Sequence, residues 1–433
     1  INNYFIRMNF SLSLFCFFIF IQLGFSQDYY DENIGKNMDY TYSANIKTVQ
    51  LYNSDYDLSE PMIKLNSGQT LTLEFDELTD SYKQYTFSIL HCNYDWSISN
   101  LSPAEYMTGP TQEFISDYDL SYNTAIPYVH YSQKIPSYNS NFKIGGNYLL
   151  MVHENFNEEN PILVKRFFVN EDMVKVDAFS TKATQVKKMD THQQVNVTVT
   201  IDNESTIQPL EQLKIVIQQN GRWDNITSDI KPTFIRGNQV IYDNPTNKYF
   251  EAGNEFRFLN IKDMRYKDIN IESIKFDENN VPEIIIKPDF PRANLQYLTY
   301  QDINGKILIK NDKGNDDDIE SDYCKVKFIL KSQKLSNGSV YIYGEISNWI
   351  YLPEFAMIYN EETNSYEKEL LLKQGYYNYL YSFKPIDENE GYVSTIEGSY
   401  KETENTYKVM IYQKRPNQTD VLIGIGVVNS VRN

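Results

Sequence analysis

The residues that could do chemistry are few. The 433-residue chain has four histidines and three cysteines. One of each sits in the stretch Tyr85 to Gly109, YTFSILHCNYDWSISNLSPAEYMTG, together with one of the three tryptophans. His91 and Cys92 are neighbours, so on a strand they point to opposite faces and do not share one metal ion. No C-x-x-C or H-x-x-x-H spacing completes a site around them. A Cys–His nucleophile needs an accessible thiol in electropositive surroundings. Here the neighbours are neutral or acidic. His130 and Asp95 could approach in space, but their spacing does not decide it. The expectation is therefore a buried His91 and Cys92, with Trp96 anchoring a loop.

Other chemistries find no support. The sequence offers no glycine-rich phosphate loop, metal cluster or nucleophile elbow. Paired carboxylates are plentiful, but 58 Asp and Glu residues supply pairs without purpose. A glycosidase built on them needs a cleft or barrel that the pattern does not suggest. The run Asn311 to Asp322, NDKGNDDDIESD, could attract calcium through its oxygens. It lacks the spacing of an EF-hand loop, and its composition reads as a solvated linker. No catalytic residue, cofactor or metal is expected.

The elements that must position these residues are strands. Tyr85, Phe87 and Ile89 alternate with Thr86, Ser88 and Leu90, and the alternation stops at His91. Asn93, Asp95, Ser97, Ser99 and Asn100 then favour a turn. Gln69–Phe75, Asn147–Glu154 and Ile162–Val169 are further strands of one β unit. Val195–Ile201, VNVTVTI, and Leu213–Gln218, LKIVIQ, continue the style. Tyr407–Tyr412, YKVMIY, and Val421–Val428, VLIGIGVV, read as closing strands, the second apolar enough to be central or interface-forming. The fold class expected is all-β, with tandem immunoglobulin-like β-sandwich domains.

The HCNYDW motif carries a family resemblance. His91, Cys92, Asn93, Asp95 and Trp96, followed by Ser99, Glu105, Tyr106 and Gly109, resemble the first domain of the type IX secretion system plug proteins. The likeness continues through Ser121, Asn123, Thr124, His130, Tyr131, Gly146, Asn147 and Tyr148 and ends near Arg166-Phe167. It implies a periplasmic protein that closes the periplasmic opening of a very large outer-membrane β-barrel translocon. It implies no catalytic residues and makes the matched positions structural or interface candidates. Further on, Val340–Gly344 and Ile346-Ser347-Asn348-Trp349 resemble immunoglobulin-like glycogen-binding modules. In that family the counterpart of Trp349 can stack on sugar. Leu380 stands where a basic residue is expected, and Phe383-Lys384-Pro385 replaces an acidic turn. The resemblance there is to a scaffold, and a carbohydrate-binding module protein is the alternative reading.

Composition bounds the partners. A net charge of -18 argues against nucleic acid, whose phosphates need clustered Lys and Arg. It argues equally against anionic membrane surfaces. Met8 to Phe25 reads as a signal peptide, with cleavage near Ser26–Gln27 and export to the periplasm. No later run is long enough to span a bilayer. The expected organisation is a signal peptide over 1–26, a first β domain over 27–170 and a second over 171–310. An acidic linker over 311–322 and a third, glycogen-module-like domain over 323–433 follow. Cys92 and Cys324 fall in different domains, so two buried thiols are expected ahead of a disulfide between them.

Overall fold

A computed structural model describes residues 36–157, 159–202, 207–243 and 248–430. The signal-peptide segment lies outside them. Among the described residues the fold is all-β, with only short helical turns such as Pro103–Tyr106 and Ser394–Glu397. Among the described residues no helix is long and apolar enough to cross a membrane.

The first core lies between two sheets. One runs in the order Tyr40–Thr41, Pro161–Asn170, Gly146–Glu154, Tyr85–Cys92 and Gln112–Ile115, with Met62–Lys64 added in parallel to Pro161–Asn170. The other holds Ile46–Asn53, Leu71–Glu77, Val129–Ile135 and Asp117–Leu120. Alternation places Tyr85, Phe87 and Ile89 in this core, with Tyr148, Leu150 and Val152 beside them. Their neighbours Cys92, Leu149 and Met151 point to the opposite face and enter a second apolar cluster. That is why Gly146–Glu154 is buried at every position but Glu154: both of its faces are covered.

The second core shows why a chain cannot be cut by sequence adjacency. Lys175–Lys182, His192–Thr200, Gln239–Tyr242 and Phe234–Arg236 form one of its sheets. The facing sheet is Leu213–Gln219, Thr406–Lys414 and Asp420–Asn429. Leu213 pairs with Gln413 and the register runs unbroken to Gln219 with Tyr407. The closing strands expected in the third domain thus complete the second core, burying Val409, Ile411, Val421 and Ile423 there.

The third core also begins earlier than expected. Arg257–Asn260, Ile271–Phe276, Pro282–Ile286 and Ile307–Ile309 all pair into its sheets rather than into the second core. The boundaries set at 310 and 323 therefore do not mark where the sheets divide. Long-range strand pairing overrides the polar composition on which they rested. Residues 311–322 are not a free linker either. Asn311 N donates to Asp317 at 2.8 Å, and the Tyr128 hydroxyl of the first core donates to the carbonyls of Asp318 and Ser321, both at 2.9 Å. The loop is bound at its acidic end to the first body. Cys92 and Cys324 are free and buried, one at the seam and one in the third core.

Candidate functional site

The HCNYDW turn sits on the outer face of the first sheet, where it meets the second core. Asn93 N donates to Ser97 O at 2.9 Å and Trp96 N donates to Asn93 O at 3.0 Å, closing the turn. Asp95 is exposed and accepts from Ser97 N at 3.0 Å and Ser97 Oγ at 2.6 Å. These bonds hold Trp96 at a φ of 66°, a conformation that costs about 1–3 kcal/mol for a non-glycine residue. The turn aims the indole into the seam, where it is buried. It meets Trp223 of the second body edge to face and Phe168 at 5.6 Å. The Arg166 guanidinium lies 4.5 Å over the Trp96 ring and 5.0 Å from that of Trp223.

Polar bonds continue this seam. Asn147 donates to the carbonyls of Asn93 at 3.0 Å and Tyr94 at 3.3 Å, and accepts from the Tyr412 hydroxyl at 2.7 Å. Asp420 N donates to Asn93 Oδ1 at 3.2 Å. His91 stays inside the first core. Its Nε2–H donates to Gly145 O at 3.2 Å, and its ring packs against Tyr148 and Tyr106. Burial lowers the His91 pKa to about 4. Burial likewise pushes the Cys92 thiol up to about 12. A neutral thiol and a neutral imidazole on opposite faces do not make a nucleophile and base.

The remaining motif residues frame this arrangement. Gly146 is required by contact: a Cβ there would stand 2.2 Å from His91 Nε2. Gly109, at φ 96°, would bring a Cβ to 2.5 Å from Asn139 O. Ser99 N donates to His91 O at 3.0 Å, and Glu105 accepts from Ser102 N at 2.8 Å at the start of the short helix. The Tyr106 hydroxyl donates to Ile89 O at 2.9 Å, and that of Tyr148 to Ile144 O at 2.8 Å. Ser121 Oγ accepts from Thr124 Oγ1 at 2.9 Å, and Asn123 turns the chain at φ 58°. Tyr131 stacks on Phe75 at 4.9 Å. His130 and Asp95 are not brought together as partners. The residue paired with His130 is Asp76, at 2.8 Å.

Asp76 anchors a second seam, between the first and third bodies. Its fully buried carboxylate accepts from Lys373 Nζ and from the Tyr323 hydroxyl, both at 2.7 Å. Burial works against the charge. The Lys373 ammonium and the His130 hydrogen bond outweigh it and hold the carboxyl below its usual range. Lys373 also donates to Asp318 O at 2.6 Å and lies 4.3 Å from the Tyr128 ring. Asp76, Lys373, Tyr323, Trp223 and Tyr412 were not legible as partners. The available signals were a lysine closing an apolar strand (LLLKQG) and a tryptophan just after a turn. Trp349 lies at the seam between the second and third bodies, with the Arg222 guanidinium 4.8 Å over its ring.

Comparison with known proteins agrees with the geometry. Residues 46–171 match the family described as type 9 secretion system plug protein, first domain. A crystal structure of a hypothetical protein from Parabacteroides merdae ATCC 43184 superposes with a TM-score of 0.87 at 34% identity, over 92% of this chain and 100% of that one. The chain belongs to the type IX secretion system plug protein family. The matched segment runs from the first residue of the first core, Ile46, to just past its last, Val169. It includes the HCNYDW turn and the Asp76–His130 pair, while their partners Trp223, Tyr412 and Lys373 lie beyond it. A match to collagen adhesin from S. aureus spans 91% of this chain and 95% of that one, but its TM-score of 0.10 and 8% identity carry no likeness. No curated protein matches the chain.

Proposed function

We propose that this protein is a non-enzymatic periplasmic plug, which docks as a folded body on the type IX outer-membrane translocon barrel and seals its periplasmic opening. The family match over residues 46–171 carries the reading. The cross-seam bonds support it. Asp76 to Lys373 and Asn147 to Tyr412 tie the first body to the other two through buried side chains. A body stiffened in this way can cover a wide opening without losing its shape. The acidic balance suits a basic rim on the barrel, with attraction that weakens as salt rises.

The test is electrical and biochemical. The translocon barrel is reconstituted in a bilayer without its plug, and this protein is added from the periplasmic side. A fall in conductance, with co-purification of the two proteins, is expected. Unchanged conductance with no co-purification would remove the plugging role.

A further inference from the structure

We infer that Glu74, His130 and Asp318 form a binding site for a first-row divalent cation, of the Zn²⁺ class, that clamps the acidic loop of residues 311–322 onto the first body. One ligand atom from each of the three lies within 4.8 Å of the others. Glu74 comes from Leu71–Glu77 and His130 from Val129–Ile135, adjacent strands of one sheet. Asp318 arrives from the docked loop, with Oδ2 4.0 Å from His130 Nε2.

The histidine is set up as a ligand. Its Nδ1 faces the Asp76 carboxylate at 2.8 Å, so in the neutral ring the proton sits on Nδ1 and the lone pair on Nε2. A carboxylate behind the ligating imidazole is the usual support for a metal-bound histidine, because it fixes the tautomer and raises basicity. Nε2 is buried and has no hydrogen-bond partner among the described residues. His130 as a whole is only 8% exposed, so an unsatisfied nitrogen there is costly unless something binds it.

The charge balance points the same way. Asp76 is neutralised by Lys373 at 2.7 Å. Among the described residues, neither Glu74 nor Asp318 forms an ion pair with a lysine or arginine. Two partly buried carboxylates and one imidazole lone pair match a dication that accepts nitrogen and oxygen together. Calcium and magnesium prefer all-oxygen shells and would leave Nε2 unused. A cleft lined by Asp117, Asp119, His130 and Asp318 gives the ion access.

The experiment uses tag-free full chain, stripped with chelator, and Zn²⁺ as the probe. Titration calorimetry is expected to give one Zn²⁺ per chain. Co²⁺ in its place should give visible absorption bands that Zn²⁺ displaces. Asp318→Asn, Glu74→Gln and His130→Gln should each weaken Zn²⁺ binding at least about tenfold. Asp318→Asn is the decisive variant, since Tyr128 and Lys373 hold the loop through the Asp318 carbonyl, not its side chain. Zn²⁺ should raise the Tm of the wild type and leave that of Asp318→Asn unmoved. Absence of stoichiometric binding at micromolar Zn²⁺ would overturn the site. So would binding that survives in both Asp318→Asn and His130→Gln.

Discussion

The indole rings of Trp96 and Trp223 meet edge to face across the seam between the first and second bodies, their centroids 5.0 Å apart. Trp96 is only 3% exposed, so truncation leaves a cavity as well as losing contact. Trp96→Ala is expected to cost about 3–5 kcal/mol, read from denaturant unfolding. Trp96→Phe should cost much less, because Trp96 Nε1 has no hydrogen-bond partner among the described residues to lose. A double-mutant cycle with Trp223→Ala should show coupling, since aromatic pairs contribute about 0.5–1.5 kcal/mol beyond buried area. An unchanged Tm for Trp96→Ala would rule out the anchoring role.

Lys373 and Asp76 are both 1% exposed at the side chain and 2.7 Å apart. Removing one partner strands the other charge. Lys373→Met should destabilise by about 3–5 kcal/mol. The double variant Asp76→Asn with Lys373→Met should lose less than the two single losses combined, because it leaves no buried charge unpaired. Additive losses in urea unfolding would contradict the pairing.

These two seams separate what the sequence shows from what it hides. Alternation from Tyr85 to Leu90 and the short apolar run within Asn147–Glu154 are local properties, so the strands and the all-β class were legible. The two-sided apolar run VLIGIGVV signalled a strand covered on both faces. Its partners were not legible, because the pairing of Ile215 with Ile411 joins residues far apart in the chain. The same holds for Asp76 and Lys373. A polar residue on an apolar strand announces that it needs a partner, but not which one. The motif HCNYDW showed that a loop shape was held, and only packing revealed that it is held against Trp223.

His91 supplies a pH dependence. Its pKa falls from 6.5 to about 4 through burial. Between those values the unfolded chain binds the proton and the folded chain does not, so stability rises with pH there. The contribution is intact above pH 6.5 and is lost progressively as pH drops toward 4, to the extent of about 3 kcal/mol. Chemical denaturation at stepped pH should show this slope, and His91→Phe should flatten it. A slope that persists unchanged in that variant would assign it to other groups.

Cys92 and Cys324 are free thiols in separate clusters, and burial raises the pKa of both. A thiol reagent should therefore leave both unmodified in the folded protein and label both in denaturant. Reducing agent should leave the Tm unchanged. Rapid labelling of Cys92 or Cys324 in the native chain, or a Tm lowered by reductant, would contradict this placement.

Trp349 decides the carbohydrate alternative. A sugar-stacking tryptophan needs an open face and polar groups beside it to orient hydroxyls. Here Arg222 covers the ring at 4.8 Å and is itself held by Asp224 at 2.7 Å. Tyr343 and Phe256 close on its edges with centroids at 5.4 and 5.9 Å. Leu380, the position where a sugar-binding relative would carry a basic side chain, is buried in a cluster with Phe256, Tyr343 and Val393. Displacing Arg222 would break its ion pair with Asp224 and strip the ring of its cation. Titration with a maltooligosaccharide should leave tryptophan fluorescence unchanged, in the wild type and in Trp349→Ala alike. Saturable micromolar binding that Trp349→Ala abolishes would establish the third core as a carbohydrate module.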